Sequence, residues 1–108
     1  MMIKKIILVA GCAALFTGGI AQAGNPAAGK EKSKSCAACH GVDGNSTAPD
    51  FPRLAGQHYD YLVKSLSDYK TGERKNAIMA PQAANLSKRD IEDLAAFYSR
   101  QQGLVVKY

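Results

Sequence analysis

The residues with the most chemistry in this chain stand together at Cys36-Ala37-Ala38-Cys39-His40. Two thiols one helical turn apart can reach the two vinyl groups of one porphyrin and form thioethers. The residue after the second Cys then lies under the iron, where a neutral imidazole is an axial ligand. Three other chemistries use parts of this pattern. A thioredoxin-like pair follows a strand in a βαβ unit, and no strand pattern occurs in this sequence. A structural zinc site needs four ligands, and beyond residue 23 only Cys36, Cys39, His40 and His58 are available, with no second cysteine pair. A plain disulfide has no use for His40. The motif therefore predicts one haem c, covalently held by Cys36 and Cys39 with His40 on the iron.

An electron carrier fills the sixth position of its iron as well, which lowers reorganisation and excludes substrates. Met79 and His58 are the candidates. Met79 sits in the apolar patch Ala77-Ile78-Met79-Ala80-Pro81, and a soft thioether in such surroundings suits ferrous iron and raises the reduction potential. A flexible core filler is the other use of a Met. His58, between Gln57 and a helix start, reads as a surface residue.

The elements that must position these groups are helical. Asn25-Pro26 is an N-cap followed by Pro at the first helical position, and this helix is predicted to run to about Ala38. Its stripe Ala27, Ala28, Gly29 is small enough for close packing on another helix. Tyr59, Leu62, Val63, Leu66 and Tyr69 recur at helical spacing, up to a C-terminal cap at Gly72. Ala77 to Ala80 forms a short patch stopped by Pro81. Ser87-Lys88-Arg89-Asp90 caps a last helix that presents Ile91, Leu94, Ala95 and Tyr98 on one face. Gly41 to Gly56 has no period at all. A loop of that length in a small domain needs a functional object to wrap, and a haem would also complete a core otherwise short of large side chains.

The stretch Gly29 to Tyr98 resembles the class I c-type cytochromes, and within them one half of the dihaem cytochromes of bacterial respiratory chains. Cys36-Ala37-Ala38-Cys39-His40-Gly41, Pro52-Arg53-Leu54-Ala55-Gly56-Gln57, Met79-Ala80-Pro81 and Leu86-Ser87 carry the likeness. No second haem motif follows. The resemblance implies an all-α fold of three to four helices and a long loop around one haem, with the first and last helices crossing at Gly29 and the Phe97-Tyr98 pair. It further implies that the Pro52 carbonyl accepts the second N–H of the ligating imidazole, and that Arg74, in a segment with Gly72 and Asn76, meets a haem propionate.

Composition and termini set the context. Met1 to Lys5 is basic, Ile6 to Ile20 is apolar and too short to anchor in a bilayer, and Ala21-Gln22-Ala23 offers a small-x-small cleavage site. Residues 1–23 are thus expected to be a signal peptide and 24–108 the domain, exported to the periplasm. Leu8 to Cys12 also resembles a lipoprotein box, a second route by which Cys12 would tether the chain. Net charge is +5 and falls to +3 without Lys4 and Lys5, too mild for a nucleic-acid binder and without a basic stripe.

The expected function is single-electron transfer without bond chemistry, by a monomer that does not insert into the membrane. Its expected partners are an upstream quinol-oxidising complex and a membrane terminal oxidase or reductase, steered by Lys30 and Lys34. Two other classes remain open: a haem subunit of a larger oxidoreductase, and a sensor or peroxidase with an open iron.

Overall fold

The computed structural model describes residues 24–103. The expected signal peptide, its alternative lipid site at Cys12, and the last five residues of the expected domain lie outside the described residues. Five α-helices follow in order: α1 Pro26–Lys32, α2 Ala37–His40, α3 Tyr59–Thr71, α4 Met79–Ala84 and α5 Lys88–Ser99, with a 3₁₀ turn over Ser33–Ser35. No strand occurs among the described residues. The all-α class expected from sequence is the one observed among the described residues.

Local signals explain most boundaries. The Asn25 side chain accepts the amides of Ala27 and Ala28, and Pro26 opens α1. The Ser87 hydroxyl accepts the Asp90 amide while the Asp90 carboxylate accepts the Ser87 amide, a reciprocal cap on α5. Gly72 ends α3 at φ +84°, the left-handed conformation that favours glycine.

Two expectations need correction. The first helix is not continuous to Ala38. The Ser33 hydroxyl donates to the Lys30 carbonyl at 2.6 Å and the Cys36 amide to the Ser33 carbonyl at 2.8 Å. Serine side chains that compete for backbone acceptors tighten the helix into a 3₁₀ turn, after which α2 starts afresh. Nor does Pro81 stop a patch. It lies in the first turn of α4, where an amide has no intrahelical partner to lose. Among the described residues α2 and α4 are short segments beside the longer α1, α3 and α5.

Helix α1 crosses α5, and α3 packs on both α4 and α5. Among the described residues nine apolar ones are buried, and four of these, Ala55, Ala83, Ala95 and Ala96, are alanines. Leu62, Leu94 and the Phe97-Tyr98 pair form the centre, with Leu54, Val63 and Leu66 only partly covered. So small an interior leaves much of the leucine surface to be covered by something else.

Candidate functional site

The break after α1 is what presents the cysteines. Cys36 precedes α2 and Cys39 lies within it, with the Cys39 and His40 amides donating to the Cys36 carbonyl at 3.2 and 3.0 Å. This single turn sets two half-buried free thiols on one side and the imidazole just beyond them. His40 is buried. Its Nδ1 lies 2.9 Å from the Pro52 carbonyl oxygen. A carbonyl only accepts, so Nδ1 carries the proton and Nε2 keeps its lone pair, the form in which imidazole binds a metal. Phe51 braces the ring edge-on, centroids 6.3 Å apart.

The loop from Gly41 to His58 is held from both ends. The Gly44 carbonyl accepts the amides of Leu54 and Ala55 at 2.8 and 3.2 Å, and the Gly56 amide donates to the Tyr98 carbonyl at 2.9 Å. Gly44 must be a glycine: its φ is +84°, and a Cβ there would stand 2.8 Å from the Tyr98 ring. Met79 enters from another segment, as the first residue of α4. The Asn76 side chain accepts the Ile78 and Met79 amides, each at 2.9 Å, and so fixes where that helix begins.

These groups converge on two adjoining cavities of about 170 and 410 Å³. Both are lined by Cys36, His40, Pro52, Tyr69, Arg74 and Met79, and the larger also by Cys39. The six residues expected to bind the haem therefore line this pair of cavities, Cys39 the larger alone. His58 does not line it; it is exposed at the N-cap of α3.

The walls fit a haem. Leu54, Leu62, Leu66 and Leu94 give the smaller cavity an apolar side, two thiols suited to thioether formation line the larger, and the Arg74 guanidinium lines both, a counter-charge that a ring with carboxylates would need. Tyr98 lines the same cavity, and its buried hydroxyl has no hydrogen-bond partner among the described residues. Burial drives its phenol well above the ordinary range, reinforced by neighbouring Cys36.

Away from the cavity, the lysines of the first helical segment are partly committed. Lys32 bridges Asp90 at 2.8 Å and buried Asp93 at 2.6 Å, which ties α1 to α5. Lys34 pairs with Glu31 at 2.7 Å, so part of the charge expected to steer partners is offset locally.

Sequence reasoning missed Tyr61 and Ser65, which line the smaller cavity beside Arg74. The apolar period of α3 drew attention to its neighbouring rows, yet the spacing Tyr61, Ser65, Tyr69 was itself a signal for one polar row.

Residues 26–100 match the Cytochrome c family. Cytochrome c4 of Pseudomonas aeruginosa is 47% identical over 87 residues, covering 81% of this chain and 43% of its own length. Cytochrome c-554(548) of Halomonas halodenitrificans is 48% identical over 83 residues, covering 74% of this chain and all of its own length. The crystal structure of reduced recombinant cytochrome c4 from Pseudomonas stutzeri superposes with a TM-score of 0.72 at 47% identity, over 76% of this chain and 48% of that one. The chain thus spans about half the length of the cytochromes c4 that it matches.

Proposed function

We propose, on the premise that this chain belongs to the cytochrome c family, that it is a periplasmic one-electron shuttle whose iron is held by His40 and Met79. As a member of that family it is an electron-transfer protein with one haem c bound through Cys36 and Cys39. The finer reading rests on one observation above all: Cys36, His40, Pro52 and Met79, from different segments of the chain, line both of the two cavities.

When bound, the haem supplies a ferric–ferrous couple. The protein's own part is positioning. The Pro52 carbonyl fixes the His40 tautomer and ring plane, and makes Nε2 a better donor to a metal. Asn76 sets the start of α4 and with it the backbone of Met79. The leucines of the smaller cavity give the site an apolar wall, surroundings that suit a weakly polar thioether. Arg74 supplies a positive charge at the cavity rim.

Cleavage after Ala23 and passage through the periplasm complete the proposal, with an upstream quinol-oxidising complex as donor and a membrane terminal oxidase or reductase as acceptor. The export part rests on the N-terminal sequence alone. Among the described residues no helix is long and apolar enough to cross a membrane.

Spectra of the purified protein test the ligand assignment. The ferric form should show the weak long-wavelength sulfur–iron band, Met79→Ala should abolish it, and the wild-type ferrous form should resist carbon monoxide. A band that persists in Met79→Ala overturns Met79 as ligand. Rapid carbon monoxide binding by the wild type would make the iron site open and the shuttle reading wrong.

A further inference from the structure

We propose that Tyr61 and Ser65 are positioning residues that hold the Arg74 guanidinium at the cavity as the counter-charge for a haem carboxylate, and so raise the reduction potential. The inference rests on the electron-carrier reading above, and its subject is the polar row of α3.

Tyr61, Ser65 and Tyr69 recur every four residues, so they form one row along α3. All three line the smaller cavity, next to the apolar row of Leu62 and Leu66. Arg74 follows the helix by a tight reversal. Gly72 turns the chain at φ +84°, and the Arg74 amide donates back to the Asp68 carbonyl at 3.1 Å. The side chain then returns over the row. Its Cζ stands 4.8 Å from the centroid of the Tyr69 ring, and Nη1 reaches the Ser65 hydroxyl at 3.5 Å. The Tyr61 phenol lies below its ordinary range because Arg74, and after it Ser65, hydrogen-bond to it.

Arg74 is exposed, yet three features set it apart from an arginine with no partner but water. Among the described residues Arg74 makes no ion pair, although it lines both cavities. Tyr61 is 52% exposed, so its ring contributes little to the core, while its hydroxyl engages Arg74. A guanidinium has five donors, and a hydroxyl pair with one covered face leaves several of them for a carboxylate. A cation held at that rim, exposed on its outer side and lining both cavities, disfavours the extra positive charge of ferric iron. Tyr61 and Ser65 contribute by keeping the fork in one orientation.

Midpoint potentials of the holoprotein decide the matter, with the sulfur–iron band recorded for each variant. Arg74→Gln is expected to lower the potential, and Tyr61→Phe and Ser65→Ala to lower it by smaller amounts with the band intact. Because Tyr61 acts through Arg74, the double variant Tyr61→Phe, Arg74→Gln should lie no lower than Arg74→Gln alone. Arg74→Lys should recover part of the loss, and Lys75→Gln, next in sequence but away from the cavity, should leave the potential unchanged. Tyr61→Phe and Ser65→Ala at wild-type potential would overturn the proposal even if Arg74→Gln failed to fold, as would additive shifts in the double variant. A wild-type protein without the sulfur–iron band would instead remove the underlying ligand reading.

Discussion

Gly29 shows how much a single residue can decide. Helix α1 lies so close to α5 that a Cβ at position 29 would fall 1.9 Å from the Asp93 carbonyl oxygen and 2.8 Å from the Phe97 Cβ. Backbone occupies the first of those places, so no side-chain rotation relieves the clash. Gly29→Ala should therefore force the helices apart and cost about 3 kcal/mol, at the upper end for overpacking, as read by denaturant unfolding of the holoprotein. A cost below about 1 kcal/mol would mean that the crossing tolerates separation. The same logic of one contact with a large consequence holds for Pro52. Its own ring matters less than its carbonyl, which selects the His40 tautomer from twelve residues away.

At the scale of elements, the α1–α5 crossing is also an electrostatic clasp. Buried Asp93 accepts the Asn25 amide at 2.8 Å and the Lys32 ammonium at 2.6 Å, and Lys32 reaches Asp90 as well. Lys32 is the first cause, and the Ser87 amide the second, that lowers the Asp90 carboxyl from 3.8 to about 2. Asp93 is likewise lowered, by Lys32 and then by the Asn25 amide. Both carboxylates therefore stabilise the fold fully above the unfolded carboxylate range. That stabilisation is lost as pH falls from about 4 toward about 2. In Lys32→Met the loss should be smaller over this window, because the carboxylates no longer titrate so low when folded. Unfolding midpoints measured against pH would show the flatter acid limb. An unchanged acid limb would mean that Lys32 does not hold the clasp in solution.

For the whole molecule, a haem in these cavities would complete the interior. The buried core is rich in alanine and its leucines face the cavities, so the chain is expected to need the cofactor to fold. A Cys36→Ala, Cys39→Ala variant, which cannot be cross-linked to haem, should lose most of its helical circular dichroism at 25 °C; native helicity in that variant would show that the polypeptide core suffices. Partner encounter belongs to this scale too. Residues 24–108 carry +3 once Lys4 and Lys5 are set aside, Lys34 is paired with Glu31 and Lys32 with α5. Steering by the first helical segment thus falls mainly to Lys30. Electron-transfer rates to a membrane terminal oxidase should decline with ionic strength, and decline less in Lys30→Glu, Lys34→Glu. A rate indifferent to salt would assign docking to apolar contact.

Chemistry was legible from sequence wherever it depends on near neighbours. Cys36, Cys39 and His40 lie within one turn, so their spacing alone specifies what they can hold, and the caps at Asn25, Gly72 and Ser87 act over three or four residues. The resemblance extended that reach to Pro52, Arg74 and the Gly29 crossing. What sequence left undecided depends on groups that meet only when the chain closes. Ser33 breaks the first helix by competing for a carbonyl, and Pro81 is harmless because α4 begins two residues before it. Lys32 belongs to α5 rather than to solvent. Tyr61 and Ser65 look like the polar side of an amphipathic helix until the turn at Gly72 carries Arg74 back over them. Periodicity reports which face of a helix is apolar; only the packed chain determines which partner the polar face receives.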